Sequence, residues 1–389
     1  MVQTTLSWGP NGFKSNASKP NVLKSNASIP NPNTPKSKAY DSTGLETSDS
    51  NPNTPSNSTT SNLGNSRFHN QDLRAICHET KDTLPLILAQ LPTLKPYRST
   101  FHHMSSAEFA PLRPENCPGF TLPAQDTEAG RKGTRIRVYD QDSFDAALEL
   151  QPGTTVTSIL PVASMSDPDT AMSNTGTADA SSSSLTPSKP VAVLNLASER
   201  HPGGGWENGT LAQEEALCYR SSLYLSLHRT YYPLPLLTLI YTPRVLLVRD
   251  AISRGHTLLF PATPAADLAV TSVITVAALR RPDTDDQGLY ARNRDRDTMK
   301  QKIRGTLRIA VLKGHRKLVL GALGCGAFGN PPEEVAECFV EVFEEKEFQG
   351  GWWEDVVFAI LDNARGNRGG KNGVGNYGIF YRALDGLVV

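Results

Sequence analysis

The chain has 389 residues, and its 39 Lys and Arg balance 39 Asp and Glu to a formal net charge of zero. That balance excludes bulk electrostatic capture of nucleic acid, so any anionic ligand must be held locally by a few placed groups. Five cysteines make no disulfide framework in a chain this long, no CxxC or HExxH spacing for a metal occurs, and no apolar run approaches the roughly 20 residues that span a bilayer.

Residues 1–65 are dominated by Ser, Asn, Thr, Pro and Lys, with KSNAS starting at both Lys14 and Lys24 and NPNTP at both Asn31 and Asn51. Such a stretch cannot bury enough apolar area to offset its ordering entropy, so a disordered tail is expected. With no apolar secretory core near Met1, the expected setting is intracellular, cytoplasmic or nuclear.

The periodic part begins near Asn70. LRAICHETKDTLPLILAQ predicts a helix with a break at Pro85. TRIRVYD at 134–140 predicts a strand, and Ser143 is the expected cap of the helix FDAALEL. Residues 163–189 are low in complexity and read as a loop inserted into one domain running over 66–389.

Five apolar runs follow: VAVLNLA (191–197), VLLVRD (245–250), VITVAA (273–278), KLVLGA (317–322) and VVFAILD (356–362). They lack strict alternation, which suits strands covered on both faces. Between them, 294–313 carries an apolar face of Met299, Ile303, Leu307, Ala310 and Val311, closed by Gly314. In 332–347, Val335, Phe339, Val342 and Phe343 are expected inward and Glu334, Glu337, Glu341 and Glu345 outward, with Asn330 and Pro331 as cap and first-turn proline. Strands alternating with helices predict an α/β layered fold.

Two stretches carry chemistry. In 193–224 a strand ends at Asn195, Gly203, Gly204 and Gly205 follow, and a helix opens at Gln213, Glu214 and Glu215. Consecutive glycines let backbone amides approach a ligand, and a helix start adds free N–H groups that favour anions. Carboxylates at the same place are poor neighbours for phosphate unless they bind hydroxyls or carry a proton. The combination suggests a sugar diphosphate, although a glycine-rich connection with surface glutamates would read the same. The second stretch, GALGCGAFGNPPEE at 321–334, repeats strand, glycine loop and helix start. Gly324, Gly326 and Gly329 have GxGxxG spacing, yet Asp362 lies about 33 residues beyond them rather than the ~20 of a dinucleotide fold, and little chain remains after it. A second loop cradling the same diphosphate, with Phe328 packing on a sugar or base, fits better. RGNRGGK at 365–371 reads as a flexible loop, RNRDRD at 292–297 as a solvated helix start, and Cys325 as a packed thiol.

The spacing GGG-x7-QEE from Gly203 to Glu215 resembles the signature of poly(ADP-ribose) glycohydrolases. VLNLAS, ALCYRSSLY, GALGCGAFGNPP and the final FAILD are similar to the microbial branch of that family, over roughly residues 66–389 without the insertion. The resemblance implies a macrodomain-like three-layer α/β/α fold with a mixed central sheet. Its ligand would be ADP-ribose at the end of poly(ADP-ribose), or on ADP-ribosylated proteins. Glu215 would be the catalytic acid/base and Glu214 would join Asn195 on the ribose. Gly203, Gly204, Gly205 and Gln213 would lie on one side of the ligand, with Gly324, Gly326, Ala327, Phe328 and Gly329 on the other. No metal or cofactor, no membrane and no nucleic acid would be involved, and a monomer is expected. A non-catalytic ADP-ribose reader and a mono-ADP-ribosyl hydrolase stay open as alternatives.

Overall fold

The computed structural model describes residues 70–160, 189–364 and 366–389. The tail at 1–65 and all but the last residue of 163–189 lie outside the described residues. Seven strands run in chain order as β1 Thr100–His103, β2 Arg137–Tyr139, β3 Ala192–Ala197, β4 Thr238–Leu246, β5 Val270–Ala277, β6 Lys317–Leu320 and β7 Asp355–Ala359. The α-helices are α1 Asn70–Ala89, α2 Ser143–Leu150, α3 Val156–Ile159, α4 Gln213–Arg220, α5 Asn293–Leu312, α6 Pro332–Phe343 and α7 Asn376–Leu384.

The strands form one mixed sheet in the order β1-β4-β5-β3-β6-β7-β2. β1 and β4 run antiparallel to their neighbours, while β5, β3, β6, β7 and β2 are parallel. Side chains alternate across such a sheet, and here both faces are apolar. Leu194, Ile274, Val276, Leu318, Leu320 and Phe358 point into a core shared with Met299, Ile303 and Leu307 of α5, Val335 and Phe339 of α6 and Phe380 of α7. Val193, Val273, Val319 and Val357 point the other way, against Leu73 and Cys77 of α1, Phe144 of α2 and Leu217 and Tyr219 of α4. The result is the expected α/β/α sandwich.

Several local expectations are corrected. Pro85 does not break its helix; α1 continues through it to Ala89, with Leu84 and Ile87 fully buried on either side. The packing gained by that turn outweighs the one intrahelical bond that proline removes. Asp142, not Ser143, caps α2, accepting from the N–H groups of Phe144 and Asp145. The run at 245–250 is only the end of a strand, since β4 starts at Thr238 and its pairing with β5 shifts between Thr242 and Val245. Pro243 stands in that irregularity, where no ladder N–H is available.

Gly314 does follow α5 at φ +75°, with its N–H on the Val311 carbonyl and that of His315 on Ala310. On α6 the proline at the first turn is Pro332 and the cap position is Pro331. Asn330 is used otherwise: its amide donates to the carbonyls of Leu279 and Gly324 and its oxygen accepts from the Tyr290 hydroxyl. Glu334, Glu341 and Glu345 do not face solvent alone, because Arg296, Lys300 and Arg304 of α5 pair with them across the helix interface.

Candidate active site

The site lies at the C-terminal ends of the parallel strands, where open α/β sheets place ligands. β3 pairs with β6 only at Ala192 and Val193, after which the two strands part. Gln213, the first residue of α4, fills the gap. Its side-chain oxygen accepts from the Leu196 N–H at 2.9 Å, and its amide donates to the Leu194 carbonyl at 2.8 Å and to the Ser143 hydroxyl at 3.2 Å. Gln213 therefore takes the place of a strand partner and fixes α4 to β3. Both its polar atoms have protein partners.

With α4 pinned there, its next two residues are buried carboxylates, Glu214 at 2% and Glu215 at 8% exposure. Glu214 accepts from the Ser198 N–H at 2.7 Å and from the Asn195 amide at 3.3 Å. Asn195 is fully buried, also donates to Thr275 on β5 at 3.2 Å, and has a carbonyl oxygen with no partner among the described residues. Glu215 is held by both oxygens: Oε1 accepts from the Gly205 N–H at 2.8 Å and Oε2 from the Ala212 N–H at 3.1 Å. Charge at the start of a helix is favoured by its free N–H groups.

The three glycines are needed for different reasons. Gly204 has φ +60°, and a Cβ there would stand 2.3 Å from Glu215 Oε1 and 3.1 Å from Glu214 Oε2. Gly203, at φ +72°, would meet the Trp206 ring at 2.8 Å, and Gly205 would strike the Thr210 hydroxyl. The glycine backbone thus lies directly on the two carboxylates. In the second loop, Gly324 has φ +78° and is pressed on Ala278 and Asn330. Gly329, at φ +64°, Gly326 and the exposed Ala327 have open space or solvent beside them. Phe328 is partly buried, with the Arg280 guanidinium 5.7 Å from its ring centre. Cys325 is a buried free thiol whose pKa burial pushes far up, which suits packing rather than attack.

Burial pushes the Glu214 carboxyl up to about 8; the Ser198 N–H opposes this and the adjacent Glu215 adds to it. A carboxyl raised on folding stabilises the fold fully below its unfolded value, 4.5, and loses that contribution as pH rises through about 8. This contribution to stability, on the order of a few kcal/mol, is therefore expected to be lost with rising pH over that window, lowering the wild-type melting temperature. Glu214→Gln should flatten this slope in thermal melts, whatever its constant offset; parallel wild-type and variant curves would contradict the burial argument.

Sequence reasoning did not find Ser198, Thr275 or Ser143. Thr275 stands directly beside Asn195 in the β3–β5 register, a pairing that only the sheet order discloses. Among the described residues no group of three or more His, Cys, Asp or Glu is arranged for a metal ion, and no helix is long and apolar enough to cross a membrane.

Residues 119–250, which hold β3, the glycine loop and α4, match the family Microbial-type PARG, catalytic domain. The match covers about a third of the chain. Among solved structures it is similar to poly(ADP-ribose) glycohydrolase from Thermomonospora curvata bound to the inhibitor ADP-HPD, at 26% identity and a TM-score of 0.54, covering 80% of this chain and 99% of that one. Another structure of the T. curvata enzyme gives 26% identity, a TM-score of 0.55 and the same coverage. No curated protein sequence matches the chain. Within a PARG-type catalytic domain, the Gly203–Gly205 loop and the Glu214–Glu215 pair are the parts that the GGG-x7-QEE spacing describes.

Proposed function

We propose that this chain is a microbial-type PARG that hydrolyses the ribose–ribose O-glycosidic bonds of poly(ADP-ribose), releasing ADP-ribose, with Glu215 as general acid and base. The observation that carries the reading is the contact between the Gly204 backbone and the paired carboxylates of Glu214 and Glu215. Amides able to hold phosphate and an acid able to serve a glycosidic oxygen are thereby set within one ligand's length.

The bond dictates the chemistry. Its cleavage passes through an oxocarbenium-like state and expels a secondary alcohol, which needs a proton. Glu215 gives that proton to the leaving ribose oxygen as the C–O bond breaks. Water then adds to the anomeric carbon and returns a proton to the Glu215 carboxylate, so the enzyme ends as it began. The N–H groups of Gly205 and Ala212 fix both oxygens of Glu215, which limits the motion needed between the two steps. Glu214 and the unpartnered Asn195 oxygen face the ribose hydroxyls. Gly203–Gly205 and Gly324–Gly329 flank the diphosphate, and Phe328 packs beside the sugar.

On this reading 66–389 acts as one catalytic domain, monomeric, on polymer or on ADP-ribosylated proteins in the cytoplasm or nucleus. All five cysteines are free thiols, which supports a reducing compartment. Incubation with purified poly(ADP-ribose), with products separated and identified, tests the assignment. Steady release of free ADP-ribose is expected. Tight ADP-ribose binding without any release would instead make the chain a reader.

A further inference from the structure

Beside the ribose-binding carboxylate lies a cationic cluster that the reaction above does not use. Ser198, whose N–H holds Glu214, is followed by Glu199 and Arg200. Glu199 Oε1 pairs with Arg200 at 3.1 Å and with Arg280 at 3.0 Å, while its Oε2 is buried without a partner among the described residues. The loop is braced from below, since the Glu199 carbonyl accepts the Leu234 N–H at 2.8 Å. Arg280 comes just after β5 and also covers the Phe328 ring. Arg281 next to it has φ +49°, a costly conformation for a side chain of that size, and its N–H is fixed on the Phe328 carbonyl at 2.7 Å. Two exposed guanidiniums, those of Arg200 and Arg280, therefore share one carboxylate, and the exposed Arg281 follows them in the chain.

The position of this rim follows from what it adjoins. β5 lies on the side of β3 away from β6 and β7. The cluster adjoins Ser198, whose N–H holds the ribose-assigned Glu214, and Arg280 lies on Phe328, assigned to the sugar, so the cluster flanks the ribose end. That end is where the next unit of a polymer would be attached, and each such unit brings another diphosphate. We infer that Arg200 and Arg280, oriented by Glu199, form a subsite for the diphosphate of the polymer unit on the leaving side of the scissile bond. The inference rests on the glycohydrolase reading, and it makes the rim a determinant of preference for polymer over a single ADP-ribose.

The test compares two ligands that differ by one unit. Glu215→Gln protein would be titrated with a two-unit ADP-ribose oligomer and with ADP-ribose, before and after Arg280→Ala or Arg200→Ala. Both arginines are exposed, so folding is not at stake. Each change should weaken the oligomer about tenfold while ADP-ribose affinity stays within about twofold, and the oligomer's advantage should shrink with added salt. Equal weakening of both ligands would overturn the subsite and leave Arg280 as a prop for Phe328. An unchanged oligomer affinity would overturn it as well. Wild-type turnover of polymer, measured alongside, reads the glycohydrolase assignment independently.

Discussion

Glu215→Gln should lower ADP-ribose release from poly(ADP-ribose) by about 10²–10⁴-fold, the usual contribution of a positioned general acid. The amide has the size of the acid but no proton to give. It is not a perfect mimic here, because Glu215 accepts N–H groups with both oxygens and the glutamine NH₂ must face one of them. One lost backbone bond costs about 1 kcal/mol, so ADP-ribose affinity should stay within roughly tenfold. Calorimetry and a turnover assay on the same preparation separate the two effects. Turnover near the wild-type level would move the acid role elsewhere.

Gly204→Ala should be nearly as damaging although it removes no functional group. The left-handed backbone alone costs about 1–2 kcal/mol for a non-glycine residue. The added methyl would stand 2.3 Å from Glu215 Oε1 and 3.0 Å from its carboxyl carbon, so the carboxylate must move. A displacement near 1 Å in a reacting group is worth about 10²-fold in rate, and polymer turnover should fall by at least that much. Gly153→Ala supplies the control, with φ +79° and nothing within 4 Å of the new methyl. It should show the backbone part of the stability loss of Gly204→Ala without the loss of turnover. Equal turnover in the two variants would show that the glycine loop does not position Glu215.

The meeting of the glycine loop with Glu214 and Glu215 was legible in sequence because it is local: Asn195 on β3, three glycines and a helix start at Gln213 lie within about 20 residues. The layered fold was legible because continuous apolar runs such as VAVLNLA occur only where both sheet faces are covered. What stayed hidden depends on contacts distant in sequence. The hold of Gln213 on β3 shows only once β3 and β6 are seen to separate after Val193. β1 offered no pattern, since TFHH has little apolar content and is held as an edge strand by β4. Asn330 looked like a cap because a proline follows, but its buried amide is claimed by Leu279 and Gly324. The pairing of Glu199 with Arg280 spans 81 residues and leaves no trace in either segment alone.

The role of Glu215 is tested most directly by varying the leaving group. A ribose hydroxyl leaves poorly and depends on the donated proton, whereas a carboxylate in an ester-linked mono-ADP-ribosyl peptide leaves readily as an anion. Rates on both substrates would be measured for wild type and Glu215→Gln under identical conditions, with spontaneous ester hydrolysis subtracted. General acid catalysis predicts a loss on polymer about 10²-fold larger than on the ester. Equal proportional losses on the two substrates would contradict it and assign Glu215 to ribose binding or water activation instead.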